Sequence, residues 1–176
     1  MPRIPAVDPA TVTGRAKEIF EGPLKGKTFN IFKSMAASPA VLDAYLGMSG
    51  ALNGTTLSAK EREVIQLAIG EANNCGYCAA AHTAIGKGAG LTEDQTVEAR
   101  RGKMTDPKLG ALARFSLAIH EKKGFISDTD AAEFTRAGYS QAQMGEVVAT
   151  YALAVFTNYF NHLNETTLDF PQPPRL

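Results

Sequence analysis

The stretch Asn73-Asn74-Cys75-Gly76-Tyr77-Cys78-Ala79-Ala80-Ala81-His82 holds both cysteines of the chain and a histidine four residues after the second. Asn73 or Asn74 is placed to cap a helix that carries both cysteines. Gly86, Gly88 and Gly90 fray the far end of that helix. A C-x-x-C pair on a helix thus stands at the centre of the chain, and the neighbouring segments decide what surrounds it.

Helix starts recur on both sides, and strand signals do not. Before the stretch, Ser58-Ala59-Lys60-Glu61 is a capping box that opens a helix carrying Val64, Leu67 and Ala68 on one face, to about Ala72. Ser38-Pro39 opens a helix that Asn53-Gly54 ends, Thr28 is placed to cap a short one through Met35, and Asp8-Pro9 opens one toward Phe20. After the stretch, Thr92 to Gln95 forms a second capping box, and Asp106-Pro107 starts a helix ending near Lys123-Gly124. Ser127 or Asp128 starts another, stopped by Gly138. Ser140 to Gln143 is a third capping box, opening a long helix with Val148, Ala152, Val155 and Tyr159 at helical spacing. The tail Phe170-Pro171-Gln172-Pro173-Pro174 cannot be helical and is expected to lie extended over a neighbour. The prediction is one all-α domain over residues 1–176, of about nine helices, with the C-x-x-C at the start of a central helix.

The 176 residues suffice for one hydrophobic core, and 44% hydrophobic with 20% charged residues is an ordinary globular balance. The formal net charge is zero, and no basic cluster suits nucleic acid. The start, Met1-Pro2-Arg3-Ile4-Pro5, has no apolar signal-peptide core. The run Val147 to Phe156 is well short of the ~20 residues of a membrane span and reads as a buried helix. A soluble cytoplasmic protein with no membrane partner is expected. In a reducing compartment a C-x-x-C pair is more often catalytic or metal-binding than structural.

On a helix, Cys75, Cys78 and His82 are spaced three and four apart and share one face. Cys75 sits in the first turn, where unpaired N–H groups and the dipole favour a thiolate. A free cysteine titrates near ~8.5. Lowering that value by ~2 units takes about 2.7 kcal/mol, whereas a helix terminus supplies only ~0.3–1 kcal/mol. A base must assist, and His82 stands one turn from Cys78. Cys78 is therefore the better-placed thiol for proton transfer through histidine, with Cys75 one turn back, placed to resolve a sulfenic acid as a disulfide. Zinc on Cys75, Cys78 and His82 is a competing reading that needs a fourth ligand. Two buried cysteines beside a core histidine is another. Covalent haem needs C-x-x-C-H, and Ala79 occupies that place. A faint internal repeat sets Glu146-Val147 and Asn158, Asn161 against Glu63-Val64 and Cys75, Cys78.

Glu63, Cys75, Cys78 and His82 together resemble the E–(eleven residues)–C-x-x-C-x-x-x-H signature of the alkylhydroperoxidase-D-like (AhpD-like) proteins of the carboxymuconolactone decarboxylase superfamily. The lead-in Leu57-Ser58-Ala59-Lys60-Glu61-Arg62-Glu63 and the later Phe156-Thr157-Asn158-Tyr159-Phe160-Asn161-His162 are similar to that family as well, and the resemblance covers most of residues 38–170. It implies an all-helical homo-oligomer, a trimer or hexamer, acting as a thiol-dependent peroxidase without a cofactor. Cys78 would be peroxidatic, Cys75 resolving, and His82 and Glu63 the proton relay. The implied partners are a hydroperoxide substrate and a dithiol reductant, which in the best-understood members is a lipoylated protein. Those members carry the motif later in the chain, with a histidine where this chain has Tyr77. The decarboxylase branch usually lacks the cysteine pair, and no cationic clamp for a lactone carboxylate stands near the motif. The alternatives are a disulfide-exchange or redox-sensing oligomer without peroxide turnover, a carboxymuconolactone decarboxylase-like enzyme, and a non-redox scaffold or metal-binding oligomer.

Overall fold

In the computed structural model, which describes residues 1–176, nine helices and no strands follow in order. They are α1 (Gly14–Glu21), α2 (Asn30–Met35), α3 (Pro39–Leu52), α4 (Ala59–Ala72), α5 (Gly76–Gly88), α6 (Glu93–Arg100), α7 (Pro107–Glu121), α8 (Asp128–Arg136) and α9 (Gln141–Asn164). The three expected capping boxes form, at Ser58/Glu61, Thr92/Gln95 and Ser140/Gln143, and Ser127 with Asp130 makes a fourth. No helix is long and apolar enough to cross a membrane.

Helix α4 is the axis of the molecule. Residues Val64 to Gly70 are buried without a break, so the helix is covered on every side rather than along one face. Helices α5, α6, α7 and α9 supply that cover. One core gathers α4 with α6–α9, where Phe134 is stacked between Phe115 (ring centroids 4.2 Å apart) and Tyr139 (4.5 Å). A second core joins α1–α3 to the cysteine end of α5. The cysteines lie where the two cores meet.

Two glycines let α4 and α5 approach. A Cβ on Gly70 would stand 3.4 Å from the Cβ of Cys78, and one on Gly86 would meet Leu91 at 2.9 Å and Glu63 Cβ at 3.6 Å. Bare backbone at both positions sets Glu63 of α4 against the His82 turn of α5.

Three sequence expectations are corrected, and the covered face of α9 is added. The first helix begins at Gly14 rather than Pro9, because Asp8 closes a turn by accepting from the Ala10 N–H. Thr28 caps nothing; Phe29 holds the N-cap position of α2. Neither Asn73 nor Asn74 caps α5: Asn73 ends α4, and Asn74 adopts a left-handed backbone (φ 55°) that turns the chain. The N-cap is Cys75 itself, whose sulfur accepts from the Cys78 N–H at 3.2 Å. On α9, the periodic set Val148, Ala152 and Tyr159 marks the outer face, with Val148 and Tyr159 about half exposed. The buried face is Val147, Thr150, Leu153, Ala154, Thr157, Asn158, Asn161 and Asn164. Apolar periodicity finds a stripe but does not say which side of it is covered.

The paired segments of the faint repeat have different backbones. Glu63 and Cys78 stand on two helices separated by the turn at Asn74, whereas Glu146 and Asn161 share unbroken α9. Glu146 holds the α3–α4 loop by accepting from the Thr56 and Leu57 N–H groups and the Thr56 hydroxyl.

Candidate functional site

Cys75 and Cys78 are joined in a disulfide, with Cα atoms 5.2 Å apart, and each is 2% exposed. Cys78 lies in the first turn of α5 and forms part of the wall of a cavity of about 300 Å³. Phe29, Phe32, Tyr45, Ile85 and Phe170 make that cavity chiefly apolar, and Lys27 stands at its edge.

His82 shares the wall with Cys78. Its Nδ1 is 2.7 Å from Glu63 Oε2, with side-chain exposures of only 16% and 14%. A carboxylate accepting from Nδ1–H fixes the ring tautomer and leaves Nε2 as the basic nitrogen. Behind this pair lies a second cavity of about 280 Å³, lined by Glu63, Arg62, Gln66 and Ser49. Tyr45, His82, Ile85 and Thr157 line both cavities. His82 thus stands between a chamber that touches sulfur and a second one that touches Glu63.

The fold therefore brings Cys75, Cys78, His82 and Glu63 together. His82 makes no direct hydrogen bond to Cys78. The side chain that does is Asn161, whose Nδ2 donates to Cys78 Sγ at 3.4 Å from the buried face of α9. The Asn161 carbonyl oxygen is buried without a partner. Its neighbour Asn158 accepts from Asn73 Nδ2 at 2.9 Å and so ties α9 to the α4–α5 turn. Sequence reasoning paired Asn161 with Cys78 only as a repeat position and gave it no role. The usable signal was Asn158, Asn161 and Asn164, three amides recurring on the buried face of an otherwise apolar helix. His162, by contrast, is exposed and stacks on Tyr159. His120, in the last turn of α7, pairs with the Tyr151 hydroxyl at 3.2 Å.

Tyr77 makes no hydrogen bond to the sulfurs. Its hydroxyl donates to Asp169 Oδ1 at 2.7 Å and accepts from the Ile31 N–H, while Asp169 Oδ2 accepts from the Asn30 N–H at 2.6 Å. Phe170 packs on Phe29 and edge-on to Tyr77. These contacts strap the C-terminal segment across α2 and the start of α5. Burial, with the Asp169 carboxylate second, pushes the Tyr77 phenol well above its ordinary value.

Removing the hydroxyl tests the strap. Tyr77→Phe is expected to lower stability at neutral pH by about 1.5–3 kcal/mol, the worth of a hydrogen bond to a charged group. A tyrosine whose folded value is raised contributes stability that is complete below its unfolded value near ~10 and is lost as pH rises beyond it. The gap between wild type and Tyr77→Phe should therefore narrow above that pH. Urea melts at neutral and alkaline pH check both statements.

The carboxymuconolactone decarboxylase family model matches residues 39–122, a span that includes Glu63, both cysteines and His82. No curated protein matches the chain in sequence. Among solved structures, an uncharacterized peroxidase-related protein with an alkylhydroperoxidase AhpD core from Ralstonia eutropha JMP134 superposes with a TM-score of 0.85 at 21% identity, covering 96% of this chain and 92% of that one. An uncharacterized peroxidase-related protein from Silicibacter sp. TM1040 gives 0.81 at 19% identity, over 94% and 89% of the two chains. The debrominase Bmp8, in complex with 2,3,4-tribromopyrrole, gives 0.78 at 16% identity, over 95% and 91%. Residues 39–122 are thus similar to the carboxymuconolactone decarboxylase family, and by its structure the chain carries the AhpD-like fold.

Proposed function

We propose that this protein is a thiol-dependent peroxidase that reduces hydroperoxides through the Cys75–Cys78 pair. The observation that carries the reading is the placement of Cys78 on the wall of an apolar cavity whose other reactive wall is a histidine held by a buried carboxylate. In the dithiol form, Cys78 loses its proton toward His82 Nε2, directly or through one water. The thiolate attacks the distal hydroperoxide oxygen, the O–O bond breaks, and the alkoxide leaves as an alcohol by taking the proton from His82. Cys78 is then a sulfenic acid. The Cys75 thiolate attacks that sulfur, hydroxide leaves as water, and the disulfide forms. An external dithiol returns both thiols.

The energy requirement is met by groups at the sulfur. About 2.7 kcal/mol is needed to lower a thiol by ~2 units. The Asn161 N–H, as a donor to a charged acceptor, contributes roughly 1.5–3 kcal/mol, and the α5 terminus about 0.3–1 kcal/mol. Together they supply about 1.8–4 kcal/mol, more than the terminus alone, and proton transfer to His82 makes up the amount at the low end of that range.

The deciding experiment follows cumene hydroperoxide and hydrogen peroxide consumption with dithiothreitol as donor. Turnover that depends on both thiols supports the proposal. A protein that exchanges its disulfide with dithiothreitol but consumes no peroxide would be a disulfide-exchange module instead. Bromide release from bromopyrroles under the same donor is the third arm, since a debrominase shares this fold. The trimer or hexamer implied by the resemblance belongs to the same proposal and is read by sedimentation velocity. The outer stripe of α9, Val148, Ala152, Tyr159 and Leu163, supplies apolar surface for it.

A further inference from the structure

We infer that the disulfide is a partition between two chambers, so that the dithiol reductant enters at Cys75, through a groove under the C-terminal tail, and not through the cavity that serves Cys78. The inference rests on the disulfide cycle proposed above.

The two sulfurs face different spaces. Cys78 lines the apolar cavity, and Cys75 does not. Cys75 lines a cavity of about 280 Å³ with Glu71, Asn74, Gly76, Arg100 and Pro173, and another of about 350 Å³ with Gly76, His162 and Glu165. Cys78 lines neither. Both Cys75 spaces are more open to the surface and more polar than the cavity at Cys78, a fit for a polar dithiol arriving from solvent or on a carrier.

The tail forms the common wall. Phe170 faces the Cys78 cavity, while Leu168, Gln172 and Pro173 face the Cys75 groove. The segment is anchored at one end by Asp169 on Tyr77 and Asn30, and at the other by Arg100, which donates from Nη1 to the Pro174 carbonyl at 2.6 Å. The Arg100 side chain is itself 7% exposed and paired with Glu71 at 2.8 Å.

Thiol–disulfide exchange needs the attacking sulfur behind the sulfur it attacks, and the better leaving thiol departs faster. Attack from the tail-side groove reaches Cys75 Sγ. The S–S bond breaks and Cys78 leaves as the thiolate that the Asn161 N–H is placed to stabilise. The second thiol of the reductant, deprotonated, then attacks the reductant sulfur of the mixed disulfide. Cys75 leaves and is protonated, and the reductant departs as its own disulfide. The protein gains two electrons and two protons, and the dithiol loses both.

Gly76 offers a direct test. It is exposed, lines both Cys75 spaces, and a Cβ there meets nothing within 4 Å. Gly76→Leu places a side chain in the groove and, inside a helix, is not expected to destabilise it. Oxidised wild type, Gly76→Leu and a chain lacking residues 171–176 are each mixed with dithiothreitol, and thiol appearance is followed by stopped flow. Each pre-reduced protein is separately mixed with cumene hydroperoxide for one turnover. Gly76→Leu should slow reduction at least tenfold and tail removal should speed it threefold or more, while peroxide oxidation stays within twofold in both. Equal slowing of both half-reactions by Gly76→Leu, or no slowing of reduction, overturns the inference. Independently of either variant, oxidised wild type mixed with 2-mercaptoethanol, acid-quenched and mapped by mass spectrometry, should carry the adduct on Cys75. An adduct on Cys78 overturns it. Because reduction starts from the disulfide and needs no peroxide, loss of the peroxidase reading alone would leave these reduction results intact.

Discussion

Cys78→Ser is expected to abolish peroxide turnover, a fall on the order of 10³-fold or more, because a serine oxygen cannot accept the oxygen atom that a sulfur becomes sulfenic acid by accepting. Cys75→Ser should behave differently. With Cys78, Asn161, His82 and Glu63 intact, it should consume one equivalent of hydroperoxide and stop, leaving a sulfenic acid on Cys78 that dimedone labels. Steady-state turnover with dithiothreitol should then be limited by direct reduction of that sulfenic acid. The pair of variants separates the two sulfurs by kind of defect rather than by degree. If Cys75→Ser lost the first equivalent of peroxide consumption and Cys78→Ser kept it, the assignment of the two cysteines would be reversed. Intact-mass analysis of the oxidised variants reads the outcome without reliance on rates.

Much of this arrangement was legible in the sequence, for identifiable reasons. Capping boxes are local, and the residues that satisfy a helix end sit three positions apart, so the starts of α4, α6 and α9 could be read directly. The start of α5 could not be read in this way, because a cysteine sulfur takes the N-cap role and an asparagine takes the left-handed turn. Spacing on one helix put His82 beside Cys78. Choosing Glu63 as its partner among nearby carboxylates rested on family resemblance, since helical phase cannot say which side of α4 meets α5. Gly70 and Gly86 stand at that contact, where a Cβ would lie 3.4 Å from Cys78 Cβ and 3.6 Å from Glu63 Cβ respectively. Asn161 is 83 residues from Cys78. The tail strap from Asp169 to Tyr77 spans 92. Contacts at such separations depend on how helices pack, which the local pattern does not encode.

His82→Ala should slow the first step, oxidation of the Cys78 thiol, by about 10²–10⁴-fold near neutral pH, the usual worth of a positioned general base. The size alone would not separate a proton relay from a packing role, because truncating a largely buried imidazole also leaves the Glu63 carboxylate without its partner. The pH dependence does separate them. Wild type needs His82 only to obtain thiolate below the intrinsic titration of the thiol. In His82→Ala the thiolate must come from deprotonation to bulk by a thiol that only the Asn161 N–H and the α5 terminus assist, so its titration lies above that of wild type and no higher than the ~8.5 of a free cysteine. The variant rate should therefore climb with pH through that range while wild type has levelled off, and the ratio between them should shrink. Glu63→Gln keeps a hydrogen-bond acceptor on His82 Nδ1 but removes the charge that stabilises the imidazolium, so it should fall between the two, roughly tenfold below wild type. Single-turnover oxidation by cumene hydroperoxide from neutral to alkaline pH measures all three proteins. A His82→Ala defect that stayed constant across that range would mean that the imidazole holds the cavity wall in place and moves no proton.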